Sequence, residues 1–136
     1  MKKKSEILTI KGGCSMKFFK NKEQGSVVME LTKGNEGGKL TYDELIAGDS
    51  DAAVEKHVPV VKHEGDKLIV EIGSVEHPMI AEHYIMWAAV ETDKGGLWKD
   101  MKPEEAPRAE FVLQPGETAK TVYIYCNLHG LWKTEL

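Results

Sequence analysis

From residue 54 onward the chain alternates between short apolar runs and compact clusters of turn-forming residues. "HVPVVKH", "KLIVEIG", "HYIMWAAVET", "RAEFVLQ" and "AKTVYIYCNLH" are rich in Val, Ile and aromatic residues with partial period-two alternation, as in strands that bury one face. Between them "HEGD", "DKGG" and "QPGE" supply Gly, Pro and Asp where the chain must reverse. Turn signals at intervals of roughly ten residues imply an all-β sandwich or barrel. No long amphipathic helix competes with that reading. The N-terminal stretch differs. "MKFFKNKEQGSVVMELTKGNEGGKL" reads as a small hairpin meander with a Gly-rich turn at Gly34 to Gly38, and "DELIAGDSDAA" as a connector with a helical turn at Asp43 to Ala47. The expected organisation is a small β appendage with its connector over residues 1–48 and a β-sandwich domain over 49–136.

With 136 residues, 41% hydrophobic and 29% charged, the chain can bury a core without disulfide staples. No apolar run approaches the roughly 20 residues that cross a bilayer. The basic start "MKKKSEILTIKGG" is interrupted by polar residues and forms no signal-peptide core of about 7–15 apolar residues, so cytoplasmic residence is the expectation. A net charge of −4 without clustered Lys and Arg argues against a nucleic-acid partner, whose phosphates demand a basic footprint. The two cysteines, Cys14 and Cys126, lie near opposite ends. In a signal-free chain such a pair is a poor basis for a disulfide, and Cys14 reads as a free thiol.

The chemical lead is where the histidines fall. Cys126 and His129 offer thiolate and imidazole from one turn after a strand, a pairing that suits a borderline-soft divalent metal. Alone, Cys126 is equally well a small buried hydrophobe and His129 a turn residue. His77 and His83 flank the loop-like "PMIAE", and Pro78 forces His77 into an extended or turn conformation; both rings can reach one centre. Glu55, Lys56 and His57 adjoin one another before an apolar strand. Elsewhere an adjacent Glu and Lys are a solvated charge pair. The conjunction of four histidines and a cysteine at strand edges makes a five-ligand set, with His63 left to the surface.

Taken together, "EKHVPV", "IGSVEHPMIAEHYI" and "YCNLHGLW" resemble the iron centre of superoxide reductases, the desulfoferrodoxin and neelaredoxin family, in order over roughly residues 52 to 133. The resemblance implies an immunoglobulin-like β-sandwich holding a mononuclear non-haem iron. His57, His77, His83 and His129 would be its equatorial ligands and Cys126 its axial thiolate, leaving the position opposite the cysteine open. It further implies one-electron reduction of superoxide to hydrogen peroxide, with the electron coming from an external donor such as a rubredoxin-like protein. Lys56 would attract the anion and help organise protonation, Glu55 would bind the oxidised iron, and the chain would assemble as a homodimer or homotetramer. The N-terminal stretch resembles a desulforedoxin-type domain, but the positions matching its iron-binding cysteines hold Asn21, Gln24, Tyr42 and Asp43. None of these suits a tetrahedral sulfur site, so a single iron per chain is expected.

Two other readings stand beside this one. A cupredoxin-like copper electron carrier would use a cysteine and two histidines, but a blue-copper site has a weak axial Met soon after its last histidine, and no methionine follows Met101. A β-sandwich binding module with a structural zinc would account for Cys126 but not for the lysine-flanked histidine.

Overall fold

The computed structural model describes residues 16–35, 37, 38 and 41–136. The free-thiol reading of Cys14 and the reading of the charged start lie outside the described residues. The chain divides into two compact units, one ending at Leu45 and one spanning Ile46–Leu136.

In the first unit β1 (Phe18–Lys20) lies between β2 (Val27–Met29) and β3 (Asp43–Glu44) in an antiparallel sheet. Asn21 makes the hairpin turn: its Oδ1 accepts the backbone N–H groups of Glu23 and Gln24 at 2.9 and 3.1 Å, a side-chain mimic of a backbone turn. The helical turn expected at Asp43 to Ala47 is not formed. Asp43 and Glu44 pair instead with Lys20 and Phe19, and the N–H of Leu45 reaches the carbonyl of Phe18 at 2.8 Å. Nucleating a helical turn fixes several residues for one hydrogen bond, whereas the free edge of β1 offers partners already in place.

The second unit opens with a single helical turn, α1 (Val54–His57), followed by β4 (Pro59–Glu64), β5 (Lys67–Ile72), β6 (Ile85–Thr92), β7 (Gly95–Asp100), β8 (Arg108–Val112), β9 (Ala119–Cys126) and β10 (Gly130–Glu135). They form two antiparallel sheets, β10-β9-β6-β7 and β4-β5-β8. Leu68, Val70, Ile72, Ala109 and Phe111 on the smaller sheet meet Ile85, Ala88, Val90, Val122 and Ile124 on the larger in one buried core. Of the sandwich or barrel that the turn spacing implies, the chain forms the sandwich, in keeping with the immunoglobulin-like fold that the family resemblance implies. Alternate residues of β5 and β9 supply that core because period-two placement sends every second side chain inward. Thr134 Oγ1 on β10 donates to the carbonyl of Pro59 at the start of β4, at 2.6 Å, and so ties the two sheets together at one end. No helix among the described residues is long and apolar enough to cross a membrane.

Two strands of this unit, β7 and β10, go beyond the sequence expectation. β7 begins with Gly95-Gly96 and is exposed except at Leu97, so it carries no alternation to read; it is an edge strand with little buried surface. β10 lies just beyond the run "AKTVYIYCNLH", where the sequence reading places no strand. β9 ends at Cys126, and the chain reverses through Asn127–His129 to pair Gly130 with Cys126. Gly130 sits at φ +77°, the left-handed conformation that closes a three-residue hairpin loop.

Candidate metal centre

Four imidazoles and one thiol converge where strand ends of both sheets meet. His57 is the last residue of α1, His77 and His83 lie on the connection between β5 and β6, Cys126 ends β9, and His129 lies in the turn before β10. The cysteine is the one donor on a strand; the histidines all lie just beyond strand ends, where loops can aim them. A bulge in β6 helps. The register slips between Ile85, opposite Cys126, and Trp87, opposite Tyr125, and such an extra residue bends a strand and redirects its end.

The four rings form a square. Neighbouring ring centres are 4.7 Å (His57–His77), 4.7 Å (His77–His83), 5.1 Å (His83–His129) and 4.9 Å (His129–His57) apart. Each neighbouring pair is near perpendicular, at 76° to 87°, while the diagonal His57–His83 pair is 6.4 Å apart. Imidazole nitrogens about 2.1 Å from one ion, with ring centres roughly 1.1 Å further out, would give neighbours roughly 4.5 Å and diagonals roughly 6.4 Å apart. The observed square is therefore the size that one ion requires.

The tautomers agree with this. His57 Nδ1–H donates to the carbonyl of Ala53 at 2.7 Å and His77 Nδ1–H to that of Pro78 at 2.6 Å. A carbonyl only accepts, so Nε2 of each neutral ring carries a lone pair. Those two Nε2 atoms nevertheless face each other at 3.2 Å, and His129 Nδ1 lies 3.2 Å from His57 Nε2. His83 Nε2 is buried with no hydrogen-bond partner among the described residues. Converging lone pairs and an orphaned ring nitrogen are stable together when a cation lies among them. The donor atoms of His57, His83, Cys126 and His129 all lie within 4.8 Å of one another, the single such group among the described residues; His77 joins them through its contact with His57.

Electrostatics favour the neutral form of His57, His77 and His83, in which one ring nitrogen keeps an available lone pair. Burial pulls His77 down to about 4 and also lowers His57 and His83 from the ordinary imidazole value, with neighbouring rings adding to the effect. The Lys56 ammonium lowers His57 and His83 further, which places its charge within reach of both rings. Burial pushes the Cys126 thiol up, while the backbone N–H groups of Leu128 and His129 oppose that shift by donating to its sulfur. Cys126 Sγ lies 3.8 Å from His129 Nδ1.

Glu55 and Lys56 are exposed on α1, and among the described residues Lys56 forms no ion pair. The Glu55 carbonyl accepts the N–H of Val75 at 2.9 Å and Ser74 Oγ at 3.3 Å, which pins α1 to the loop that carries His77. His63 is exposed on β4, opposite Leu68, and takes no part in the group. Three supporting residues escape a search for donors: Trp132, stacked on His57 at 4.9 Å and 24°; Asn127; and Gly73. Only the placement of Asn127 and Trp132 beside the Cys–His turn in "YCNLHGLW" hints at the first two. In the first unit Asn21 is committed to its turn and Asp43 pairs with Lys22 at 3.4 Å; neither joins a metal group.

Residues 49–135 match the family model described as Desulfoferrodoxin. Over 126 residues the chain is 38% identical to a desulfoferrodoxin of Clostridium acetobutylicum, covering 89% of this chain and 97% of that one. It is 33% identical to a superoxide reductase of Pyrococcus horikoshii, covering 60% of this chain and 86% of that one. Among solved structures, the superoxide reductase from Treponema pallidum is similar with a TM-score of 0.74 at 36% identity, covering 89% of this chain and 99% of that one. With the family model spanning most of the β-sandwich unit and the Clostridium relative matched almost end to end, the chain belongs to the desulfoferrodoxin family.

Proposed function

We propose that this chain is a superoxide reductase, which reduces superoxide with one electron and two protons to hydrogen peroxide at a single iron held by His57, His77, His83, His129 and Cys126. The observation that carries the reading is the square of four imidazoles with a thiol beside it. Relatives named superoxide reductase support it. A copper carrier built on two histidines and a cysteine would leave half of that square without a role.

Iron held by these five side chains would supply one-electron redox chemistry, in its ferrous and ferric states. The rest is done by the chain. Carbonyls of Ala53 and Pro78 lock the tautomers of His57 and His77 so that Nε2 faces inward. Burial keeps His57, His77 and His83 unprotonated near neutral pH. The N–H groups of Leu128 and His129 donate to the Cys126 sulfur and offset part of the burial that raises its thiol. Lys56 draws an anionic substrate toward a chain whose net charge is −4, because a well-placed cation raises the encounter rate, and it helps organise the incoming protons; Glu55 acts on the oxidised centre. On this reading the electron comes from a small carrier such as a rubredoxin-like protein, the N-terminal unit is a desulforedoxin remnant without iron, and the protein works in the cytoplasm as a homodimer or homotetramer.

Metal analysis with a visible spectrum and superoxide-consumption kinetics tests the reading. A single iron per chain is expected, with a thiolate-to-ferric charge-transfer band that Cys126→Ser abolishes and an iron content that His63→Ala leaves unchanged. Two irons per chain, a tetrahedral sulfur-iron spectrum, or a native band in Cys126→Ser would overturn it.

A further inference from the structure

Asn127 stands between the thiol and the imidazole of the C-terminal turn, and its side chain brackets a third donor from a distant part of the chain. Its Oδ1 accepts the backbone N–H of Tyr84 at 2.9 Å, and its Nδ2 donates to the carbonyl of Glu82 at 3.0 Å. Its own backbone N–H reaches the carbonyl of Tyr84 at 3.2 Å. The amide has one possible orientation, since one partner only donates and the other only accepts. His83 is the residue between those two partners.

The backbone of His83 is closed on itself by a reciprocal pair with Ile80, at 3.0 and 3.1 Å. That pair shapes the loop but does not say where the loop stands relative to Cys126 and His129. The three Asn127 hydrogen bonds do. They join two segments over forty residues apart in sequence, with metal donors on both sides of every link. None involves the imidazole of His83, whose Nε2 stays orphaned and buried; the backbone is satisfied so that the ring need not be.

We infer that Asn127 is a positioning residue that sets His83 against the Cys126–His129 turn, so that the donor set is assembled before metal arrives. The inference rests on the metal-centre reading above. A side chain that merely stabilised the fold would affect melting alone; one that places a ligand must also affect how tightly a metal is held and how the thiolate-to-metal absorption looks. Partners of metal ligands cost about 10- to 100-fold in affinity when removed, and preorganisation lost through the backbone should fall at the lower end of that range.

The test is cobalt(II) titration of the full chain stripped of metal, followed through the thiolate-to-cobalt band, with circular dichroism and melting measured in parallel. Asn127→Ala removes both amide contacts; Asn127→Asp keeps the acceptor for Tyr84 N–H and loses the donor to Glu82. Cobalt affinity is expected to fall about tenfold or more in Asn127→Ala and by less in Asn127→Asp, with a shifted or broadened band. His83→Ala should cost less in the Asn127→Ala background than in the parent, because the two changes act on one ligand. Parent affinity and an unshifted band in Asn127→Ala, with only the melting temperature lowered, would overturn the inference and leave the metal centre intact. If Asn127→Ala does not fold, Asn127→Asp decides by the same criteria. A parent chain that takes up no cobalt, or binds it as well after His83→Ala, would overturn the metal-centre reading and this inference with it.

Discussion

A β-carbon on Gly73 would lie 2.6 Å from the carbonyl carbon of Lys56 and 2.8 Å from its Cα. The glycine is therefore the surface on which the Glu55-Lys56 peptide rests, and the adjoining hydrogen bonds from Val75 and Ser74 to the Glu55 carbonyl hold it there. The contact is with backbone, which cannot swing aside as a side chain does. Gly73→Ala should displace α1 and lower stability by about 1–3 kcal/mol, the ordinary cost of overpacking. It should also slow reaction with superoxide, because Lys56 moves with its peptide. Urea denaturation and rapid-mixing kinetics check this: parent stability together with a parent rate would mean that the loop yields at no cost. Ser74→Ala, which deletes one hydrogen bond without a clash, should show a smaller effect of the same kind.

Trp132 touches the centre twice. Its indole lies flat on His57, and its Nε1 donates to the carbonyl of His129 at 3.0 Å. Trp132→Phe keeps an aromatic face for His57 and loses the hydrogen bond, so it should cost about 1 kcal/mol and leave metal bound. Trp132→Ala removes the stack as well and opens a cavity in the core, for about 3–5 kcal/mol. Retention of iron under chelator challenge should follow the order parent, Trp132→Phe, Trp132→Ala. If Trp132→Ala retains iron as the parent does, the ring is not what holds His57 in place.

How much of this was legible differs residue by residue. β5 and β9 announce themselves because burial of one face imposes period-two alternation on Leu68, Val70 and Ile72 and on Val122 and Ile124. β7 does not, since an edge strand with two leading glycines and an exposed Trp98 buries too little to pattern its sequence. Side chains with metal-binding chemistry are visible one by one in the sequence. Their square is reached only through the family resemblance and not from local pattern, because it depends on a bulge beside Met86, a left-handed Gly130 and the pinning of α1 by Val75. The role of Asn127 is hidden for the same reason. A hydrogen bond between residues 43 positions apart leaves no local signature, whereas the helical turn expected at Asp43 to Ala47 is local logic that pairing with β1 overrode.

Tyr123 gives a test of the sandwich that is independent of metal. It lies on β9 between Ala89 and Lys133 on the neighbouring strands, with Glu91 and Glu135 paired to Thr121 two residues back on the same face. Burial, reinforced by Glu91 and then Glu135, pushes its phenol up to about 12. The unfolded phenol ionises near pH 10, so above that pH the unfolded chain has released a proton that the folded chain still holds. Stability should therefore be intact below pH 10, fall as pH rises through the window up to about 12, and level off beyond it. Tyr123→Phe should flatten that decline relative to the parent in denaturation midpoints between pH 9 and 12; parallel curves for the two proteins would show the phenol ionising as freely when folded.

Lys56 is the residue on which the substrate reading makes its sharpest demand. Superoxide is an anion, the chain is net negative, and the Lys56 charge is felt at both His57 and His83. If it steers substrate, Lys56→Ala should slow the second-order reaction and weaken its dependence on salt, because screening then has less local attraction left to remove. Iron content should stay unchanged, since the lysine supplies no donor atom. Glu55→Ala is the control. A carboxylate that acts on the oxidised centre should alter the resting oxidised spectrum when removed and leave the bimolecular step with reduced protein largely intact. Pulse-radiolysis rates over a salt series separate the two roles. If Lys56→Ala matches the parent at every ionic strength, the lysine is a solvated surface charge, and attraction of the anion must come from the metal centre itself.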